Sequence, residues 1–77
     1  MTHWNYRVIR KKYPPAIDGI VEESLQIHEV YYDENNNPKM VTEEGMEPHG
    51  ETLDELRNDL NNMIKALDKP ILAYNSF

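Results

Sequence analysis

Trp4, Tyr6 and Val8 share one parity of "WNYRVIRK", Trp4 to Lys11, while Asn5 and Arg7 take the other together with Ile9. That alternation predicts a half-buried first strand. "YPPAIDG" disfavours regular structure, because two prolines remove backbone donors and Asp18-Gly19 is turn chemistry, so a loop is expected there. In "SLQIHEVYYD", Ser24 to Asp33, β-branched and aromatic residues again predict a strand. Leu25 and Ile27 share one parity while Val30 and Tyr32 share the other, a phase switch that suggests a bulge near His28 or Glu29. "ENNNP" reads as a polar turn returning the chain into a third, antiparallel strand, "KMVTE", Lys39 to Glu43.

The stretch "HGETLDELRNDLNNMIKAL", His49 to Leu67, is the most fully specified element. Thr52 followed by Glu55 forms a capping box, Asp54 and Glu55 suit the positive end of the helix dipole, and Lys65 suits the negative end. Leu53, Leu56, Leu60, Met63, Ile64 and Leu67 recur at steps of three and four as one apolar stripe. Pro70 ends the helix, and Ile71, Leu72 and Tyr74 form a tail able to pack back on the sheet. The expected architecture is α+β: a three-stranded antiparallel sheet packed by one C-terminal helix, β-β-β-α, as a single domain over residues 1–77. Thr52, Glu55, Leu56, Leu60 and Ile64 are its defining helical residues, with the stripe turned to the sheet.

Seventy-seven residues allow only a thin core, and without cysteine no disulfide or thiolate cage supports it. The N-terminus has no apolar leader region and no run approaches a membrane span, so a cytoplasmic protein without membrane contact is expected. Charge is uneven. Arg7, Arg10, Lys11 and Lys12 precede a stretch from Asp18 to Glu55 in which twelve acids face the single base Lys39. Such a surface repels a phosphate backbone and favours a basic protein.

Chemistry-bearing patterns are weak. Asp33, Asn35, Asn37 and Glu44 fit four positions of a calcium loop, but Pro38 stands where that loop needs glycine, and its flanks read as strands. His3, His28 and His49 share no ligand spacing, and no nucleophile elbow or phosphate loop is present. Adjacent pairs such as Glu43-Glu44 are solvated edges rather than a converging metal site. Neither an enzyme nor a cofactor is expected. Trp4, Tyr6, Tyr31 and Tyr32 could stack single-stranded nucleic acid beside Arg7 and Arg10, although filling the core and its rim is the simpler role.

Strand, hairpin, strand and then "HGETLDELRNDLNNMIKAL" resembles the N-terminal module of HicB-type antitoxins and related short bacterial proteins, over about Trp4 to Leu72. The resemblance implies a partial ribonuclease-H-like sheet without nuclease carboxylates, covered by one helix, that binds and masks a small basic RNA-cleaving toxin. With no DNA-binding domain after this module, operator binding is not expected. The expected function is therefore a non-enzymatic protein-binding module that docks a basic partner through an acidic hairpin, with Glu29, Asp33, Glu34, Glu43 and Glu44 as contact residues. A homodimer, or that partner, would cover the free sheet face and its edge strands. The rival reading is a phage-type inhibitor whose acids imitate nucleic acid and block a nuclease.

Overall fold

The computed structural model describes residues 3–13, 19 and 22–77. Four strands form one mixed sheet in the order β3-β2-β1-β4, with β1 (His3–Lys12), β2 (Glu23–Tyr32), β3 (Pro38–Val41) and β4 (Leu72–Ala73). Helix α1 (Leu53–Lys65) runs into a 3₁₀ turn (Ala66–Asp68), and a second such turn (Tyr74–Ser76) follows β4. The α+β class holds, but the purely antiparallel three-stranded sheet does not. β4 adds a parallel strand on the free edge of β1, pairing Ile9 with Leu72 and Arg10 with Ala73. The tail does pack back on the sheet. Of the expected loop "YPPAIDG", Pro14 to Asp18 lie outside the described residues, while Gly19 has φ 78°, a backbone conformation suited to glycine.

β1 and β2 pair without interruption from His3↔Tyr32 to Lys12↔Glu23, so no bulge occurs at His28 or Glu29; the ladder irregularity falls at Tyr31/Tyr32, against β3. The phase switch has another cause: both faces of the central strands are covered. On one face Tyr6 and Val8 pack with Met63 and Ala66, helped by Ile27 and Met46. On the other, Ile9, Val30 and Tyr32 pack with Val41, Leu72 and Tyr74. Two thin cores thus sandwich the sheet, and the face expected to be open is closed by the tail.

The capping box forms, with one variation. The Thr52 hydroxyl accepts from the Glu55 amide at 3.1 Å, whereas the Glu55 carboxylate accepts from Glu51 at 3.0 Å, one residue before the cap. The apolar stripe does not lie against the sheet as expected. Only Met63 in α1 and Ala66 just beyond it are buried; Leu56 is half-buried, and Leu53, Leu60, Ile64 and Leu67 are exposed. Thr52, Glu55 and Leu56 act as fold residues, but Leu60 and Ile64 do not seal the core.

Gly50 explains the tight entry to α1. A Cβ there would stand 2.3 Å from the Leu56 nitrogen and 2.7 Å from the Glu55 carbonyl carbon, both backbone atoms that cannot yield without opening the first turn. At Gly45 the nearest atoms belong to the Gln26 side chain at 3.0 Å, which can move aside. Gly50→Ala is therefore expected to cost about 1–3 kcal/mol, against well under that for Gly45→Ala. Urea midpoints at constant m-value check it; equal midpoints would contradict the close approach.

Candidate functional site

On the helix-bearing face, the register aligns Trp4, Tyr31 and Met40 in a row across β1, β2 and β3. Trp4 stands edge-on to Tyr6 at 5.2 Å and tilted to Tyr31 at 6.4 Å. Such a row would ordinarily be covered by the helix. Here α1 packs further along β1, leaving Trp4 47% and Met40 57% exposed. Tyr32, expected among the same aromatics, is buried on the opposite face, stacked on His3 at 4.8 Å.

Two carboxylates fix the base of this row. Glu29 accepts from the Tyr31 hydroxyl at 2.9 Å, and that bond raises the Tyr31 pKa above its ordinary value. Asp59 accepts from the Tyr6 hydroxyl at 2.5 Å and from the His49 amide at 2.8 Å, joining β1, α1 and the segment before the helix. Burial first, and then the Asp59 carboxylate, push the Tyr6 hydroxyl well above the usual phenol range. Both phenols stay protonated at neutral pH and act as donors. At the Trp4 end, Asn5, Asn62, Lys65 and Lys69 border a small cleft.

The five acids chosen from sequence do not form one patch. Glu29 lies mid-strand beneath Tyr31. Asp33 holds the hairpin turn: its carboxylate accepts from the Asn35 and Asn37 amides at 2.9 and 3.0 Å and pairs with Lys39 at 3.8 Å. The Asn37 amide is the main cause of its lowered pKa. The turn itself needs a left-handed residue, supplied by Asn36 at φ 62°. Glu34 is exposed at the tip. Glu43 and Glu44 follow the far end of β3, which at about 3.3 Å per residue is ~13 Å long. There the Glu43 carbonyl accepts from Lys11 at 2.5 Å. Asp59 and Met40 were not singled out in the sequence. Asp59 shares a helical face with Met63 and Ala66, four and seven residues on, and that spacing marks it as sheet-facing.

A second feature lies on the other flank of α1. Leu60, Met63, Ile64 and Leu67 form one wall of an open groove of about 980 Å³, with Leu25, Ile27 and Met46 opposite and Glu44 and Glu47 at its rim. It is the space left by a stripe that overhangs the sheet instead of lying flat on it.

The third feature is internal. His28 is fully buried on the tail-covered face, its Nδ1 2.9 Å from the Thr42 carbonyl. A carbonyl only accepts, so Nδ1 carries the proton and Nε2 presents a lone pair; Nε2 is buried without a partner. Burial, the largest effect, lowers its pKa. Beside it Arg7 donates to the Tyr32 hydroxyl at 3.0 Å and to the Pro70 carbonyl at 2.7 Å, and Tyr32 donates to Asn5 at 2.7 Å.

Among the described residues no three His, Asp or Glu side chains converge as a metal site, and no helix is long and apolar enough to cross a membrane. Compared with models of protein families, with proteins of curated function and with solved structures, the chain matches none.

Proposed function

We propose that the chain is a non-enzymatic protein-binding module for a basic protein partner. One observation carries the reading: a Trp4–Tyr31–Met40 row, exposed at Trp4 and Met40 and half-buried at Tyr31, with Glu29 set into it and the acidic hairpin beside it. Trp, Tyr and Met are enriched at binding anchors, and aromatic faces beside a carboxylate suit Arg or Lys side chains. Lys65 and Lys69 at the Trp4 end, opposed to Asp33 and Glu34 beyond Tyr31, give the row a polarity that would orient the partner. The HicB-type reading belongs to this proposal; the hairpin sheet and the capped helix support it, and the parallel β4 departs from the expected pattern.

Of the five acids, Glu29 and Glu34 remain the contact residues of choice. Asp33 supports the turn, and Glu43 and Glu44 lie away from the row. With the full chain immobilised and a lysate of its native cell applied, a basic protein should be retained at 0.1 M salt and released near 1 M, as the screening length falls from about 10 to 3 Å. Trp4→Ala and Glu34→Lys should each cut retention at least tenfold, while Glu43→Lys should leave it unchanged. Retention indifferent to Trp4, Glu34 and salt would refute the site.

A further inference from the structure

We infer that the exposed face of α1 is a self-association surface, on which a second copy of this chain lays its own α1 antiparallel, with Leu60 against Leu60 across a two-fold axis. The inference goes beyond the docking of a basic partner and does not rest on it, since the Trp4 row lies on the other flank of the helix. Leu53, Leu60, Ile64 and Leu67 are 70, 41, 58 and 65% exposed, and Leu25 beside them is exposed as well. A contiguous apolar surface of this kind, on a domain with two thin cores, marks an interaction site.

The spacing selects the occupant. Leu53 lies seven residues before Leu60 and Leu67 seven after; Leu56 lies four before and Ile64 four after. Two antiparallel copies centred on Leu60 therefore set Leu53 against Leu67 and Leu56 against Ile64, apolar against apolar, with Arg57 falling beside the buried Met63 at the remaining step. An unrelated helix has no reason to repeat that symmetry. An isologous interface demands it.

Electrostatics agree. At a net charge of −6 two copies repel over most of their surface. The stripe is the approach that avoids this, because Leu53, Leu60, Ile64 and Leu67 are interrupted only by Arg57, whose spacing from Leu53, Leu60 and Ile64 puts it on the same face. Arg57 is itself paired with Asp54 at 3.1 Å on the same helix, so this face brings no net charge to the contact. Antiparallel alignment also opposes the two helix dipoles favourably. The sheet offers no comparable route. β3 is four residues long and begins with Pro38, and β4 is two residues long.

Sedimentation equilibrium of the full chain at 10–100 μM, concentrations chosen on the order of those that populate weak dimers, should give twice the 9.1 kDa monomer mass. Leu60→Glu and Leu60→Lys, each alone, should be folded monomers, with far-UV circular dichroism as the control for an exposed position. Mixed one to one, they should recover the dimer. The chain has no cysteine, so geometry can be read by cross-linking. Leu53→Cys and Leu67→Cys chains should form a disulfide when mixed. Leu53→Cys alone should not, since its two copies would lie about 21 Å apart at 1.5 Å rise per residue, far beyond disulfide reach. A monomeric parent chain overturns the inference, as does failure of the Glu/Lys mixture to pair. Cross-linking of Leu53→Cys with itself as fast as the mixture, which would signal parallel helices, overturns it too.

Discussion

Replacing Ile9 with alanine is expected to remove about 2–5 kcal/mol of stability, a large part of the roughly 4–12 kcal/mol available to a 77-residue domain. Ile9 is fully buried at the centre of the tail-side core, touching the cluster of Val30, Tyr32, Val41, Leu72 and Tyr74. It also backs the short parallel pairing to Leu72. Truncation opens a cavity in a layer with few other side chains to collapse into it. The same change loosens the two-residue ladder that pairs β4 with β1. At about 4–8 °C per kcal/mol for a domain of this size, thermal unfolding should fall by ~8–40 °C. A melting temperature within a few degrees of the parent chain would mean that this face is open, as the sequence pattern first suggested, and that the tail does not close it.

How much of this architecture was legible depends on what each residue pattern constrains. The helix was readable because its signals are local: Thr52 and Glu55 set its start, where the N-cap formed, and Pro70 bounds its end, although the α-helix gives way at Lys65 to a 3₁₀ turn over Ala66–Asp68. Which way its stripe faced was not readable, since periodicity shows that one face is apolar without showing what covers it. Leu60 and Ile64 look like core residues by spacing, yet of the apolar stripe and its continuation only Met63 and Ala66 are buried. The strands held the missing clue. Apolar side chains on both parities, Tyr6 and Val8 against Ile9, Leu25 and Ile27 against Val30 and Tyr32, are what two-sided burial requires. Read as a bulge, that pattern hid the second core and the role of Leu72 and Tyr74 as its lid.

The acidic surface was legible from composition, but the availability of each carboxylate was not. Asp33 satisfies two turn amides. Asp59, a residue no motif selects, ties Tyr6 to His49. Sequence reports where charges are, whereas hydrogen bonding decides which remain free to meet a partner, and that is a property of the assembled fold.

The second large effect expected is acid sensitivity centred on His28. Its Nδ1 proton is committed to the Thr42 carbonyl, so any further proton must go to Nε2, which is buried with no acceptor in reach. The groups around it offer no relief: Arg7 lies opposite in the β1 register, Lys11 disfavours the charged imidazole, and Tyr74 from the tail stands at 6.3 Å between ring centres. Folding thus holds the His28 pKa below its ordinary value, chiefly through burial. The sign follows from linkage: below the ordinary histidine pKa the unfolded chain takes up a proton that the folded chain resists, so the contribution is complete above about pH 6.5 and declines as pH falls toward the folded value. Lowered Asp33 acts separately, in the carboxylate range below it. Between pH 7.5 and 5, the urea midpoint of the parent chain should fall steeply, and that of His28→Gln, whose amide can still donate to Thr42 but cannot titrate, should fall much less. Because Tyr74 and Leu72 form the lid over this face, the tail should be the first part to gain amide exchange as pH drops. Parallel slopes for the two chains would place the acid sensitivity elsewhere and deny His28 its role.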